Sequence, residues 1–233
     1  MSIADKIIRA KTDYDKVYEA GKQSEYDRFW DSQQNYGKVE NYDHFYSGSG
    51  WNKQTYKPKY DMHITSAYMM FRYFNRNKNP IDFVNDISVV LDFSKCTQFA
   101  YTFYAASVSH LGTIDTRSAT TLGGAFQHTT LTTIDLLIVK DDGSTNIGDA
   151  FLSSTRLKHL TIEGLIAKNA DFGDNPLTAE SLVSIVEHYS TTATGLTLTV
   201  QQSAVNNADW SKTNYASWDE LKAIRPNLGF AYR

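Results

Sequence analysis

Six histidines and one cysteine are the side chains here best suited to acid–base, nucleophilic or metal chemistry, so their spacing comes first. His63, His110, His128, His159 and His188 are scattered, and His44 sits in an aromatic stretch. None has the i,i+4 or similar spacing that a metal-binding pair needs. Cys96, standing alone, excludes an intramolecular disulfide framework and a cysteine-rich zinc site. Gly48-Ser-Gly50 lacks the third glycine of a dinucleotide-binding turn. Asp171-Phe-Gly173 spells the kinase triplet without the glycine-rich loop or the His-Arg-Asp loop that would give it meaning. The paired carboxylates Asp141-Asp142 precede Gly143 in turn-forming sequence and need no catalytic account. The expectation is a protein that is not an enzyme, with no catalytic, cofactor-binding or metal-binding residues.

His110 and His159 differ from the other histidines in falling at matched positions. Each lies two residues past an apolar anchor, Val108 or Leu157, and Thr133 shares their column. The adjacent column holds Gly112, Asp135 and Thr161, and Glu163 follows. A row of His110, Thr133, Asp135, His159, Thr161 and Glu163 is either a ligand-facing strip or a solvated strand face.

Those columns exist because the middle of the chain repeats. Leu91, Asp92, Phe99 and Phe103 meet Ile114, Asp115, Leu122 and Phe126 at a constant offset of 23. Ile147 and Phe151 follow Leu122 and Phe126 by 25, and the two extra residues fit the turn Asp141-Asp142-Gly143-Ser144. After each Phe comes an apolar pair: Val108 and Leu111, Leu131 and Ile134, Leu157 and Leu160. A degraded earlier copy runs from Ala67 to Phe71, with a longer connection through Asn79-Pro80 before Ile87–Leu91. A period of 23 to 25 is too short for a pair of helices and suits one strand plus one turn per coil.

The pattern Ala-Phe, four or five residues, Leu, two residues, Leu or Ile, and then a β-rich stretch resembles the BspA-type leucine-rich repeat. Gly124-Ala125-Phe126 through Ile134 and Asp149-Ala150-Phe151 through Leu160 carry it best. The likeness spans about residues 62–168, although the family's prolines are absent. Cys96 lies near the place where that family often has a cysteine, which implies a small buried filler. The fold class expected is an α/β solenoid: a short leucine-rich-repeat stack of parallel strands with a long N-terminal helix and a C-terminal α/β cap.

Four segments follow from this reading. Residues 1–33 read as one helix, in which Ile3, Ile7, Ala10, Tyr14 and Val17 keep heptad spacing. The helix either packs on its own domain or oligomerises the chain. Residues 34–61 are aromatic, with Tyr46 and Trp51 beside Ser47–Gly50, and form either a carbohydrate-binding loop or a cap on the open coil. Residues 62–168 are the repeats. In residues 169–233, Thr178 caps a helix running to about Tyr189, Gly195–Val200 alternates as a strand, and Ser217-Trp-Asp-Glu220 is a capping box. Leu228–Tyr232 closes as a strand, and the whole would extend the parallel sheet and seal the last coil.

Composition bounds the partners. A net charge of −3 gives no basic excess to drive nucleic-acid binding or attraction to an anionic membrane. No apolar run approaches the roughly 20 residues that span a bilayer. Met1–Lys6 lacks the charged-then-apolar pattern of a secretory signal, so the chain is expected to stay where it is made or to leave within a particle. Tyr18–Asp31, Gly50-Trp51-Asn52, Tyr56–Asp61 and Leu160–Gly164 resemble repeat proteins encoded in phages and prophages of gut Firmicutes. That resemblance implies a non-catalytic binding or assembly protein in the virion or tail, contacting a neighbouring virion subunit or a host surface protein or glycan. A bacterial cell-surface adhesin and an intracellular interaction scaffold are the alternatives.

Overall fold

The structure is a computed structural model, and it describes residues 62–86 and 91–233. The expected N-terminal helix with Ile3, Ile7, Ala10, Tyr14 and Val17, and the aromatic segment with Tyr46 and Trp51, lie outside the described residues.

The described chain winds into a parallel-strand β-solenoid of about four turns, followed by an α/β unit. The repeat dictates the winding. Each coil contributes one phenylalanine to a central spine, and successive rings stack almost parallel. Phe71 lies 4.9 Å from Phe103, Phe103 5.8 Å from Phe126, Phe126 5.0 Å from Phe151, and Phe151 5.0 Å from Phe172. Beside this spine run Ala67, Phe99, Leu122 and Ile147, all buried. Cys96 is buried too, giving its Sγ–H to the Gln98 carbonyl at 3.3 Å, which is the filler role the resemblance implied.

Around the spine each coil has two sides. One side is a four-stranded parallel sheet in the order β2 (Ile81–Asp82), β4 (Val108–Asp115), β5 (Thr133–Ile138) and β6 (His159–Glu163). A smaller pair joins β1 (Met62–His63) to β3 (Leu91–Asp92). Inward residues meet inward residues across the sheet, Leu111 beside Ile134 and Ile134 beside Leu160. The β5–β6 register slips between Ile134 and Leu137, where the longer coil is brought back into step.

The other side is a ladder of tight turns. Alternate backbone N–H groups there have different partners. Phe71, Tyr73, Phe103, Ala105, Phe126 and His128 donate to the next coil, at Thr102, Tyr104, Ala125, Gln127, Ala150 and Leu152. The intervening residues close turns within their own coil, as Phe74 does on Phe71 and Tyr104 on Tyr101. This alternation requires left-handed backbone at regular positions. Gly124 occupies one of them at φ 61°, where an added Cβ would collide with the Tyr101 ring. At the others non-glycine residues take positive φ, among them Tyr73, Tyr101, Ala105 and His128. Inside the ladder Thr129 Oγ1 donates to the Phe126 carbonyl at 2.9 Å, and Ser154 Oγ donates to the same oxygen. Asn175 Nδ2 continues the series to Phe151 and Ser154 at 3.1 and 2.8 Å. Backbone carbonyls in the core are thereby satisfied.

The C-terminal unit departs from expectation. The four-stranded sheet is not extended by later strands. Instead α1 (Ala179–Glu187) lies against β6, and its serines fill the place of a fifth strand. Leu160 N–H donates to Ser181 Oγ and Ile162 N–H to Ser184 Oγ, both at 2.8 Å. An edge that would pair with another chain is closed this way. The reason is local: Thr178 accepts from Ser181 N–H and starts a helix whose Leu182, Ile185 and Val186 bury against the coil. The strand role passes to the turn side, where β7 (Ala170–Phe172), β8 (Leu196–Val200) and β9 (Leu228–Tyr232) form a separate parallel sheet. Asp171 N–H donates to the Gly148 carbonyl, so β7 grows directly from the turn ladder. Between β8 and β9 come α2 (Gln202–Asn207), a 3-10 turn at Trp210–Lys212, and α3 (Trp218–Ala223), whose Trp218 and Leu221 are buried. Glu220 N–H donates to Ser217 Oγ at the start of α3, and the Glu220 carboxylate accepts from Ala216 N–H.

The mid-spine ring has neighbours on both faces, so Phe126→Ala leaves a cavity that the coils cannot close. Its expected cost is about 3–5 kcal/mol in urea denaturation. A loss under about 1 kcal/mol would show that the stack does not carry the fold.

Candidate functional site

The sheet's outward face gathers the residues that repeat alignment had placed in columns. Strand register sets Asp82 beside His110, His110 beside Thr133, and Thr133 beside His159. None of His110, Thr133, Asp135, His159, Thr161 and Glu163 is buried. In β6 the alternation is strict: His159, Thr161 and Glu163 point out while Leu160 and Ile162 point in.

One pair within the strip is in contact. The His110 imidazole Nε2 lies 2.8 Å from Asp135 Oδ1 on β5. Its Nδ1 faces Asp82 Oδ1 on β2 at 3.4 Å. A histidine thus links two carboxylates across three strands and fixes their spacing. A neutral imidazole has one N–H to give, so it serves one carboxylate at a time, and a protonated ring serves both. Asp135 is the open end, with half its side chain exposed. Asp82 is the anchored end, accepting from Val84 N–H, Asn85 N–H and Asn85 Nδ2. Burial pushes the Asp82 carboxyl up, but the Asn85 side chain and backbone, His110 and the Val84 N–H outweigh it. The net position is below the usual carboxylate range.

Asp82 and the exposed Val84 beside it were not visible in the sequence, because their coil is stretched: Phe71 precedes Phe103 by 32 rather than 23. The only signal was the Asp-x-x-Asn turn chemistry of Asp82 and Asn85. Along the remainder of the strip, His159, Thr161 and Glu163 share the exposed face of β6. At the far end Asp115 holds Arg117 at 2.8 Å. The face is therefore acidic, with Asp82, Asp115, Asp135 and Glu163 along it. Among the described residues, no cluster of three or more His, Cys, Asp or Glu is arranged to hold a metal ion. Cys96, the one thiol, is buried in the coil.

Two open clefts border the sheet, and His159 of the strip lines the first. One, about 400 Å³, runs between Lys158 and His159 at the start of β6 and the Pro176–Glu180 and Ala208–Lys212 segments. The other, about 620 Å³, sits at the corner where the turn ladder bends into the sheet. No helix among the described residues is long and apolar enough to cross a membrane. Comparison with protein families, with curated proteins and with solved structures finds no match to this chain.

Asp82 supplies a pH test. A carboxyl held low in the folded chain contributes stability above its unfolded pKa and loses it as pH falls through the folded value. Asp82→Asn is expected to destabilise at neutral pH, and less so at an acid pH well below the ordinary aspartate value of about 3.9. A gap of equal size at both pH values would show that the carboxylate's charge is not what holds the 82–86 turn.

Proposed function

We propose that this protein is a non-catalytic binding and assembly protein built on BspA-like leucine-rich repeats, which meets its partner through the outward face of its four-stranded sheet. The observation that carries this reading is the exposed strip on a rigid, hydrogen-bonded support, with Asp135 held at 2.8 Å by His110. A repeat stack buries its own core coil on coil and leaves a long preformed surface, so little ordering entropy is lost on binding. Hydroxyl, imidazole and carboxylate groups in register suit a polar protein surface carrying basic residues. The flank sequences point to a phage particle as the setting, with a neighbouring virion subunit or the host surface as partner.

Particles purified from a strain carrying the gene are expected to contain the chain. The double variant Thr161→Arg, Glu163→Arg, which reverses the charge of the β6 edge, should keep the parent's melting temperature and fail to enter them. Particles lacking the parent protein, or incorporating the variant equally, would sink this reading. The heptad positions Ile3 to Val17 are the proposed assembly segment. Light scattering of the full chain beside a copy lacking residues 1–33 is expected to show an oligomer collapsing to monomer. A monomer in both samples would remove the assembly role of that segment.

A further inference from the structure

The larger cleft differs from the sheet face in every chemical respect. Arg76, Lys78 and Arg156 line it, together with Tyr73, Tyr104 and His128, and no carboxylate does among the described residues. None of those three cations is ion-paired with a carboxylate in the described chain, although the protein carries a net charge of −3. Three exposed cations around one concavity give it a positive potential that no carboxylate in its described lining offsets.

Arg76 is also held in place. Its guanidinium lies 4.8 Å from the centre of the Tyr73 ring, and Arg72 lies 4.6 Å from the same ring. Stacking on an aromatic face removes rotamer freedom before any ligand arrives, so the planar fork is ready for an oxyanion. The aromatic wall is ordered as well: Tyr104 meets Tyr73 edge-on at 5.6 Å and His128 at 5.5 Å. Tyr73 and His128 take φ of 57° and 58°, left-handed positions where glycine would be easier. Their side chains line this cleft. The exposed amides of Asn77 and Asn79 sit on the rim beside them.

We propose that this cleft binds an acidic saccharide, its carboxylate or phosphate on Arg76 and Arg156 and its hydroxyls on the surrounding amides, phenols and imidazole. The volume, about 620 Å³, is that of a site for a few sugar rings rather than a track for a polymer. A single-stranded nucleic acid would ask for a basic groove continuing past the cleft. A net charge of −3 gives no basic excess to extend such a groove, and among the described residues the sheet face carries Asp82, Asp115, Asp135 and Glu163. None of Asp135, Thr161 and Glu163 lines the cleft, so this proposal stands or falls apart from the sheet-face reading.

The test is calorimetric titration of the full chain with an oligogalacturonate, a phosphorylated oligomannose, uncharged maltohexaose and an oligouridylate. At least one acidic sugar is expected to bind, more weakly as salt rises, and which one binds identifies the anion. Arg76→Gln and Arg156→Gln, both at exposed positions, should each weaken binding about tenfold at the parent's melting temperature. Equal binding of maltohexaose would overturn the assignment to an anion. Tighter binding of oligouridylate would make the cleft a nucleic-acid site instead. Failure of both acidic sugars to bind, or unchanged affinity in the two variants, would remove the proposal.

Discussion

Neighbouring phenylalanine rings at 4.9 to 5.8 Å set the rise of each coil. Parallel strands sit about 4.7–4.9 Å apart, so a ring stack of this spacing runs in step with a backbone ladder. The match lets one coil satisfy two demands together, since the same rise closes N–H···O bonds on the sheet side and on the turn side. A smaller residue in the stack would leave an unfilled gap between two rings. The turn ladder then adds a second constraint. Half of its N–H groups must reach the next coil while the other half close turns at home, which forces left-handed backbone at fixed intervals. Sheet, turns and site geometry all inherit their spacing from this stack.

The four rings Phe71, Phe103, Phe126 and Phe151 were readable as a spaced apolar pattern, and so was the column His110–Thr133–His159. Offsets of 23 to 26 turn sequence distance into spatial adjacency without any knowledge of the fold. Where the offset leaves that range, the route closes. Phe172 ends the spine only 21 residues after Phe151, in a strand rather than a turn, and no pattern marks it as the fifth ring. Asp82 joins His110 across a coil of a different length, so the acid–histidine–acid link was hidden although both partners of the His110–Asp135 contact were singled out. The replacement of a fifth strand by α1 rests on Ser181 and Ser184, which in sequence are ordinary helix-surface serines. Their hydroxyls gain meaning only once β6 presents its unpaired N–H groups three-dimensionally.

Charge is divided between the two sides of the coil. The sheet side carries Asp82, Asp115, Asp135 and Glu163, while the corner cleft carries Arg76, Lys78 and Arg156 without counter-ions in the described chain. A net charge of −3 conceals this division, because the composition averages over surfaces that never meet. Salt screens exposed charges over a Debye length of about 8 Å, so each surface meets a partner mainly through its own nearby charges.

Left-handed backbone costs about 1 kcal/mol or more at a residue with a Cβ. The described chain spends this at eight non-glycine positions, and at Gly124 it does not. Crowding explains the glycine, because the Tyr101 ring occupies the space where its Cβ would sit. At Tyr73 and His128 a side chain is present despite the strain, and it lines the corner cleft. Fold stability alone would favour glycine or asparagine there. Of the two asparagines at such turns, Asn75 is buried with its Nδ2 donating to the Asn79 carbonyl, and Asn77 lines the cleft itself. Two aromatic rings kept at strained positions, one of them flanked by two arginines, are what a recognition surface requires and what a purely structural turn does not.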